Sequence, residues 1–271
     1  MKAALIQLNV GADPLRNLPQ TQSLIADAAA AGAGLILTPE VTNCISTSRA
    51  HQMDVLAHEA DDITLAALRD QARALGVWIA IGSLALKTGD AHGRFANRSF
   101  VIDPAGQIVA RYDKIHMFDV TVSATETYRE SAGYRPGDRA VIAQTPFANL
   151  GLTICYDLRF AQLHRTLAQA GAEVLLVPSA FSPVTGAAHW ETLLRARAIE
   201  TGCYVLAAAQ TGDHGGRMTY GHSLAVAPWG EVIADAGTQT GYTLVDIDRT
   251  EVSDARRRIA ALTHDRPFKG P

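Results

Sequence analysis

Short apolar runs alternate with helical patterns through most of the chain. Residues 3–9 read as a strand. Asp13 then serves as an N-cap, with Pro14 at the first position of an Ala-rich helix that Gly32 stops. Leu35-Ile36-Leu37 is too short and too apolar for anything but a buried strand, which Thr38-Pro39 breaks. A helix over 62–75 ends at Gly76, and 77–81 is the strand behind it. Residues 99–102 and 107–112 pair as a hairpin across Asp103-Pro104-Ala105-Gly106. From 113 to 139 periodic hydrophobics are few, and Gly133, Pro136 and Gly137 mark a long loop. Strands follow at 140–144 and 149–154, then a helix over 158–170 closed by Gly171. Residues 174–177 form a buried strand, 187–201 a helix and 203–209 a strand. A second hairpin joins 221–227 to 231–235 across Pro228-Trp229-Gly230, and 242–247 is the last strand. Beyond Thr250 the pattern starts amphipathic and ends polar.

Helices and strands interleave without a linker or a break in composition, which predicts one α/β domain over 1–271 with a tail from about 250. The two hairpins make the sheets mixed, so two packed sheets with helices on their outer faces fit better than a single doubly wound sheet. A formal net charge of −3 carries no footprint for nucleic acid or an anionic membrane. Three scattered cysteines argue against a disulfide framework, no apolar run is long enough to span a bilayer, and the expected location is cytoplasmic.

The chemistry concentrates at strand ends. Cys155 follows the apolar run Gly151-Leu152-Thr153-Ile154 and precedes a helix, a crossing where ligands bind in α/β folds. A helix N-terminus there is expected to lower the thiol pKa. Most lone buried cysteines are merely small core residues. Glu40 stands at the end of another buried strand, behind Pro39, where it could act as a general base for the thiol. Lys114, at the end of a hairpin strand, is a surface cation in the bland reading; beside the other two it would stabilise an oxyanion.

Thr38-Pro39-Glu40, Tyr112-Asp113-Lys114-Ile115-His116 and Gly151-Leu152-Thr153-Ile154-Cys155-Tyr156-Asp157-Leu158-Arg159-Phe160 together resemble the three catalytic motifs of the nitrilase superfamily, the carbon–nitrogen hydrolases. The resemblance runs from about residue 3 to 248. It implies a nitrilase-type αββα sandwich, a homodimer or higher homo-oligomer, no cofactor and no metal, with Glu40 as base, Lys114 as oxyanion stabiliser and Cys155 as a nucleophile forming a thioester. It also implies that Glu130, in Tyr128-Arg129-Glu130-Ser131, is a second active-site carboxylate, with Glu126 a solvated decoy. Pro178-Ser179-Ala180-Phe181, the stretch from Thr185 to Glu200 and Tyr220-Gly221-His222-Ser223 are similar to the Nit branch of that superfamily. Its substrates are small molecules: 2-oxo acids carrying a distal amide. Deaminated glutathione, cleaved to 2-oxoglutarate and cysteinylglycine, is the first expectation. 2-Oxoglutaramate is the alternative, and other small amides or N-carbamoyl compounds stand behind it.

A 2-oxo acid calls for an arginine, and Arg159 either anchors that carboxylate or is an ordinary helix ion-pair residue. Tyr156, Phe181, Thr185 and His189 are pocket-wall candidates by resemblance; plain core packing is the rival for Phe181 and Trp190. Arg195 with Glu191 reads as an i,i+4 pair, and Arg197 and Glu200 as scaffold support. The loops at 43–52, 119–135 and 211–219 would shape the pocket. Gly221-His222-Ser223 mimics a serine nucleophile elbow, but the residues after it read as strand rather than helix. Nine histidines show no metal-binding spacing. Cys44 and Cys203 are expected to be structural thiols, and Asn97-Arg98-Ser99 an unused sequon. The other class, a non-catalytic scaffold on the same fold, would require loss of the triad, and the triad is intact.

Overall fold

The computed structural model describes residues 1–122 and 126–271, so the tip of the 119–135 loop lies outside the described residues. The first half of the chain runs β1 (Lys2–Gln7), α1 (Pro14–Ala30), β2 (Leu35–Leu37), α2 (Arg49–Val55), α3 (Ile63–Leu75), β3 (Trp78–Leu86), β4 (Ala96–Ile102) and β5 (Ile108–Asp113). A hairpin of β6 (Asp119–Thr121) and β7 (Thr127–Arg129) follows. The second half runs β8 (Val141–Gln144), β9 (Asn149–Leu152), a 3₁₀ turn (Cys155–Arg159), α4 (Ala161–Gln169), β10 (Val174–Leu176), α5 (Pro183–Thr201) and β11 (Tyr204–Ala207). It closes with β12 (Thr211–Asp213), β13 (Met218–Tyr220), β14 (Leu224–Val226), β15 (Val232–Asp235), β16 (Gly241–Asp246) and α6 (Arg249–Arg258).

The strands form two six-stranded mixed sheets, in the orders β16-β1-β2-β3-β4-β5 and β15-β14-β11-β10-β9-β8. Period-two alternation decides the layers. Ala3, Leu5, Leu35, Leu37 and Ala80 face the second sheet and join Leu150, Leu152, Val174 and Leu176 in one core. Their neighbours Ala4, Ile6, Ile36, Ile79 and Ile81 face outward and pack on Ile25, Ala28, Leu65, Leu68 and Ala72 of α1 and α3. On the far side, Leu163 and Leu167 of α4 and Leu194 and Ala198 of α5 cover the second sheet. The result is the expected αββα sandwich.

Several boundaries differ from the sequence reading, each for a local reason. The long loop holds the β6–β7 hairpin, whose three-residue strands are too short to show periodicity. The helix expected over 158–170 is a 3₁₀ turn at Cys155–Arg159 followed by α4. Helix α5 starts four residues before the expected 187, because Ser182 accepts from the Thr185 N–H as N-cap and Pro183 opens the helix. The β12–β13 hairpin and α2 lie in segments read as loops.

Glycine 82 brings the two sheet edges together. A Cβ there would lie 2.0 Å from the Thr38 carbonyl oxygen and 2.4 Å from Pro178 Cβ. The Glu40 turn is strapped onto this bulged stretch of β3: the Val41 N–H donates to Ser83 Oγ (2.8 Å), and the Gly82 N–H to Thr38 Oγ1 (3.1 Å).

Candidate active site

Four elements deliver side chains to one point. The turn after β2 carries Glu40, β5 runs into Lys114, the 3₁₀ turn after β7 begins at Glu130, and the turn after β9 carries Cys155. Lys114 Nζ lies 2.9 Å from Glu40 Oε1 and 2.9 Å from both oxygens of Glu130, so its three protons all face carboxylates. The Ala180 N–H donates to Glu40 Oε2 (3.0 Å) and the Cys155 thiol also hydrogen-bonds this carboxylate. The Phe118 N–H holds Glu130 Oε2 at 2.6 Å. Glu126 is elsewhere, accepting the Tyr128 hydroxyl at 2.6 Å.

Asn97 belongs to this cluster although its sequon suggested only a decoy. Its amide nitrogen donates to Glu40 Oε1 (2.8 Å) and lies 3.4 Å from Glu130 Oε1, so it orients both carboxylates. It is 2% exposed, which closes it to a glycan. Its burial arises from the packing of the sheets, which the sequence pattern does not reveal.

Cys155 sits on a strained corner with φ +49°, a left-handed conformation rare for non-glycine residues. The corner is held by the Cys155 N–H to the Pro178 carbonyl (2.9 Å) and by Asp157, whose Oδ2 accepts the Ile154 N–H (2.9 Å). Asp157 is fully buried and gathers the lysine motif as well. Tyr112 donates its hydroxyl to Oδ2 (2.6 Å), and the His116 backbone N–H (3.0 Å) and Nδ1 (2.7 Å) meet Oδ1. The residues two before and two after Lys114 thus clamp the carboxylate two after Cys155.

The site's electrostatics correct one expectation. Burial, then the charge of Glu40, pushes the Cys155 thiol well above its ordinary range against the pull of Lys114. The two carboxylates and one ammonium bonded to each other here make a cluster that is one charge negative, so a thiolate beside them would add a second. The 3₁₀ turn does not supply the α-helical N-terminus that was expected to lower the thiol pKa. Burial alone would raise the Glu40 carboxyl, but Lys114 outweighs it and holds the group below its usual 4.5. Burial would lower Lys114, and Glu130 and Glu40 keep it well above 10.5. Glu40 therefore stabilises the fold above pH 4.5, and that contribution fades as pH falls through its lower folded value. Lys114 stabilises the fold below pH 10.5, and that contribution fades as pH rises through its higher one.

One prediction arises here. Iodoacetamide at near-neutral pH should label Cys155, which has the Glu40 carboxylate beside it to take its proton, in preference to Cys44, whose thiol is bonded to the Ala12 carbonyl, and the fully buried Cys203. Because Glu40 stays ionised and takes the proton as sulfur reacts, the rate should change less than about threefold from pH 7 to 9.5, where an ordinary thiol gains more than about tenfold. A profile climbing with a midpoint near pH ~8.5 would contradict the neutral-thiol description.

A cavity of about 390 Å³ opens over Cys155, Glu40, Lys114 and Glu130. Tyr156, Phe181 and Thr185 line it, as do Phe118, Tyr128, Tyr134 and Arg217. Arg159 and His189 do not. Arg159 is half-buried over the Phe181 and Tyr156 rings, 5.6 and 6.0 Å from their centroids, and lies 3.3 Å from the exposed His189 Nδ1. Phe181 and Trp190 pack on each other at 4.7 Å. The scaffold readings match the contacts: Arg195 pairs with Glu191 at 3.5 Å, and buried Arg197 donates to the Leu158 carbonyl (2.9 Å) and Glu200 (2.8 Å). Ser223 is buried on Gln7 and precedes a strand, as the rejection of a serine elbow required. Cys44 lines the cavity edge, its thiol donating to the Ala12 carbonyl (3.2 Å).

The structure is thus an αββα sandwich that gathers a cysteine, a lysine and two glutamates at one point. The carbon–nitrogen hydrolase family profile matches residues 2–257, and the chain belongs to that family as an amide-hydrolysing enzyme. It is 40% identical over 265 residues to a deaminated glutathione amidase of Yersinia enterocolitica, covering 97% of this chain and 92% of that protein. It is 36% identical to the human omega-amidase NIT2, covering 98% and 95% respectively. The crystal structure of the C. elegans NitFhit protein superposes with a TM-score of 0.91 at 35% identity; the match covers 98% of this chain and 65% of that longer one. Among the described residues, no helix is long and apolar enough to cross a membrane.

Proposed function

We propose that the protein hydrolyses deaminated glutathione to 2-oxoglutarate and cysteinylglycine, with 2-oxoglutaramate as the second candidate substrate. The observation that carries the chemistry is the convergence of Cys155, Glu40, Lys114 and Glu130 within one cavity. The name of the Yersinia relative supports the substrate. A cavity of about 390 Å³ agrees with a peptide-sized ligand, since sites enclosing drug-sized molecules span about 300–1,000 Å³.

In this reading Cys155 Sγ attacks the amide carbonyl carbon as its proton passes to Glu40, so the thiolate never accumulates. The tetrahedral oxyanion faces the Tyr156 N–H, which at the start of a 3₁₀ turn has no partner inside that turn, and Lys114. Because every Lys114 proton faces a carboxylate at rest, one bond to Glu130 must break for Nζ to turn to the oxyanion. Glu130 tolerates this, keeping the Phe118 N–H. Collapse breaks the C–N bond, and Glu40 gives its proton to the leaving nitrogen. Water, deprotonated by Glu40, then attacks the thioester carbonyl; the C–S bond breaks and the thiol recovers its proton. Tyr156, Phe181 and Thr185 would wall the acyl side, with Arg159 poised behind the two rings. Residues 1–271 would form one hydrolase domain with a tail from about 250, and a homodimer or higher homo-oligomer is the expected assembly.

Side-by-side kcat/KM for the two substrates, detected by their common product 2-oxoglutarate, tests the assignment. Deaminated glutathione should be preferred by at least about tenfold, the effect of about 1.4 kcal/mol of extra binding. A preference for 2-oxoglutaramate by orders of magnitude would sink it.

A further inference from the structure

The cavity holds an arginine that the chemistry above leaves unused. Arg217 follows the tip of the β12–β13 hairpin, is half-buried, and lines the cavity beside Tyr128 and Tyr134. Its guanidinium carbon lies 5.6 Å from the Tyr128 ring centroid. Nearby arginines are engaged: Arg49 donates to the Gly133 and Gly93 carbonyls, and Arg129 to that of Tyr128. Arg217 makes no ion pair and its side chain donates to no acceptor among the described residues. Glu126, two residues before Tyr128, is bonded to the Tyr128 hydroxyl.

The hairpin that carries Arg217 is firmly pinned. His214 is 6% exposed, its Nδ1 2.7 Å from the Val10 carbonyl oxygen and its Nε2 2.7 Å from Thr219 Oγ1. A carbonyl only accepts, so Nδ1 carries the proton, and Nε2 accepts from the threonine hydroxyl. The His214 N–H then closes the tip on the Arg217 carbonyl at 3.0 Å. Gly215 and Gly216 make that turn with φ of +77° and +96°. The backbone of Arg217 is therefore fixed while its charged end is left for a ligand.

Aromatic rings connect Arg159, behind the cavity wall, to Arg217 on the cavity. Tyr156 and Phe118 lie 5.0 Å apart, and Phe118 and Tyr128 4.9 Å. Arg159 stands over the Tyr156 end of this ladder and Arg217 over the Tyr128 end. The proposed substrate is also charged at both ends: a 2-oxo acid carboxylate on the acyl side, and the glycine carboxylate of the leaving dipeptide. Arg217 lines the cavity with Tyr134, whose N–H donates to the Glu130 carbonyl at 2.8 Å, so it stands on the Glu130 side of the cavity, at the end of the ladder away from Arg159.

We propose that Arg217 anchors the terminal carboxylate of the leaving peptide, making the site selective for amides whose leaving group ends in an anion two residues from the cleaved bond. Two extended residues reach at most about 7 Å, which sets the span between scissile nitrogen and guanidinium. This assignment rests on the peptide-substrate reading above and adds the leaving-group side to it. A planar carboxylate meets a guanidinium in a bidentate fork that a lysine cannot reproduce.

The test is a chemical cycle using deaminated glutathione and its glycine methyl ester on wild type and Arg217→Gln. Esterification should lower wild-type kcat/KM by about 10- to 100-fold, the effect of one charge-assisted contact. Arg217→Gln should show a similar loss with the free acid, mainly in KM, and less than about twofold further loss on esterification. Arg217→Lys should recover part of the free-acid activity. A misfolded variant would lose both substrates equally, and Arg217→Lys then carries the cycle. An ester penalty as large in the variants as in wild type overturns the Arg217 assignment alone. Wild type that cleaves 2-oxoglutaramate but not deaminated glutathione overturns the peptide-substrate reading and this proposal together.

Discussion

Cys155→Ala should lower release of 2-oxoglutarate by at least about 10⁴-fold while leaving the protein folded. Alanine carries the same Cβ into the left-handed corner, so the backbone strain at φ +49° is unchanged. Removing the sulfur deletes one hydrogen bond to Glu40, whose carboxylate keeps Lys114, Asn97 and the Ala180 N–H. The unfolding free energy should move by no more than about 1 kcal/mol. Denaturant midpoints and turnover measured on the same preparation check both halves. Substantial residual turnover would remove Cys155 from the reaction, and would leave the non-catalytic scaffold or another nucleophile to explain the site.

Asp157→Ala should have the largest effect on stability. The carboxylate is fully buried and accepts from Tyr112, Ile154 and, through both its backbone and ring nitrogens, His116. Its removal strands buried donors with nothing to fill the gap, a loss of about 3–5 kcal/mol. Asp157→Asn should cost less but still substantially, because an amide presents two protons to neighbours that are themselves donors. Under conditions where either variant remains folded, turnover should fall too, since the clamp sets Lys114 against the nucleophile corner. An unfolding free energy from urea titration within about 1 kcal/mol of wild type for Asp157→Ala would show that the clamp is dispensable.

Much of this was legible in the sequence because Glu40, Lys114 and Cys155 each close an apolar strand, and strand ends are visible as breaks in a hydrophobic run. Glu130 came through resemblance rather than pattern, as its setting of three-residue strands leaves no periodic trace. Asn97 and Asp157 were hidden for another reason. Each is a polar residue that looks solvated in isolation, and each is buried only when the two sheets pack. Arg217 lay in a segment without periodicity, and only the folded hairpin places it on the cavity wall. The helix-dipole expectation for Cys155 failed because a short 3₁₀ turn, desolvated and facing Glu40, replaces the α-helical start.

The clamp on Asp157 also bears on when the protein becomes chemically competent during folding. Tyr112 and His116 flank the end of a strand in one sheet, and the aspartate follows a strand in the other. Glu40 and Lys114 likewise follow strands of one sheet and Cys155 a strand of the other, so no partly folded intermediate with separated sheets can hold them together. In such an intermediate the cysteine is an ordinary thiol, and amide cleavage switches on only with the final docking step. Catalytic turnover is thereby a built-in proof of assembly, sensitive to the sheet–sheet seam in a way that secondary structure content is not.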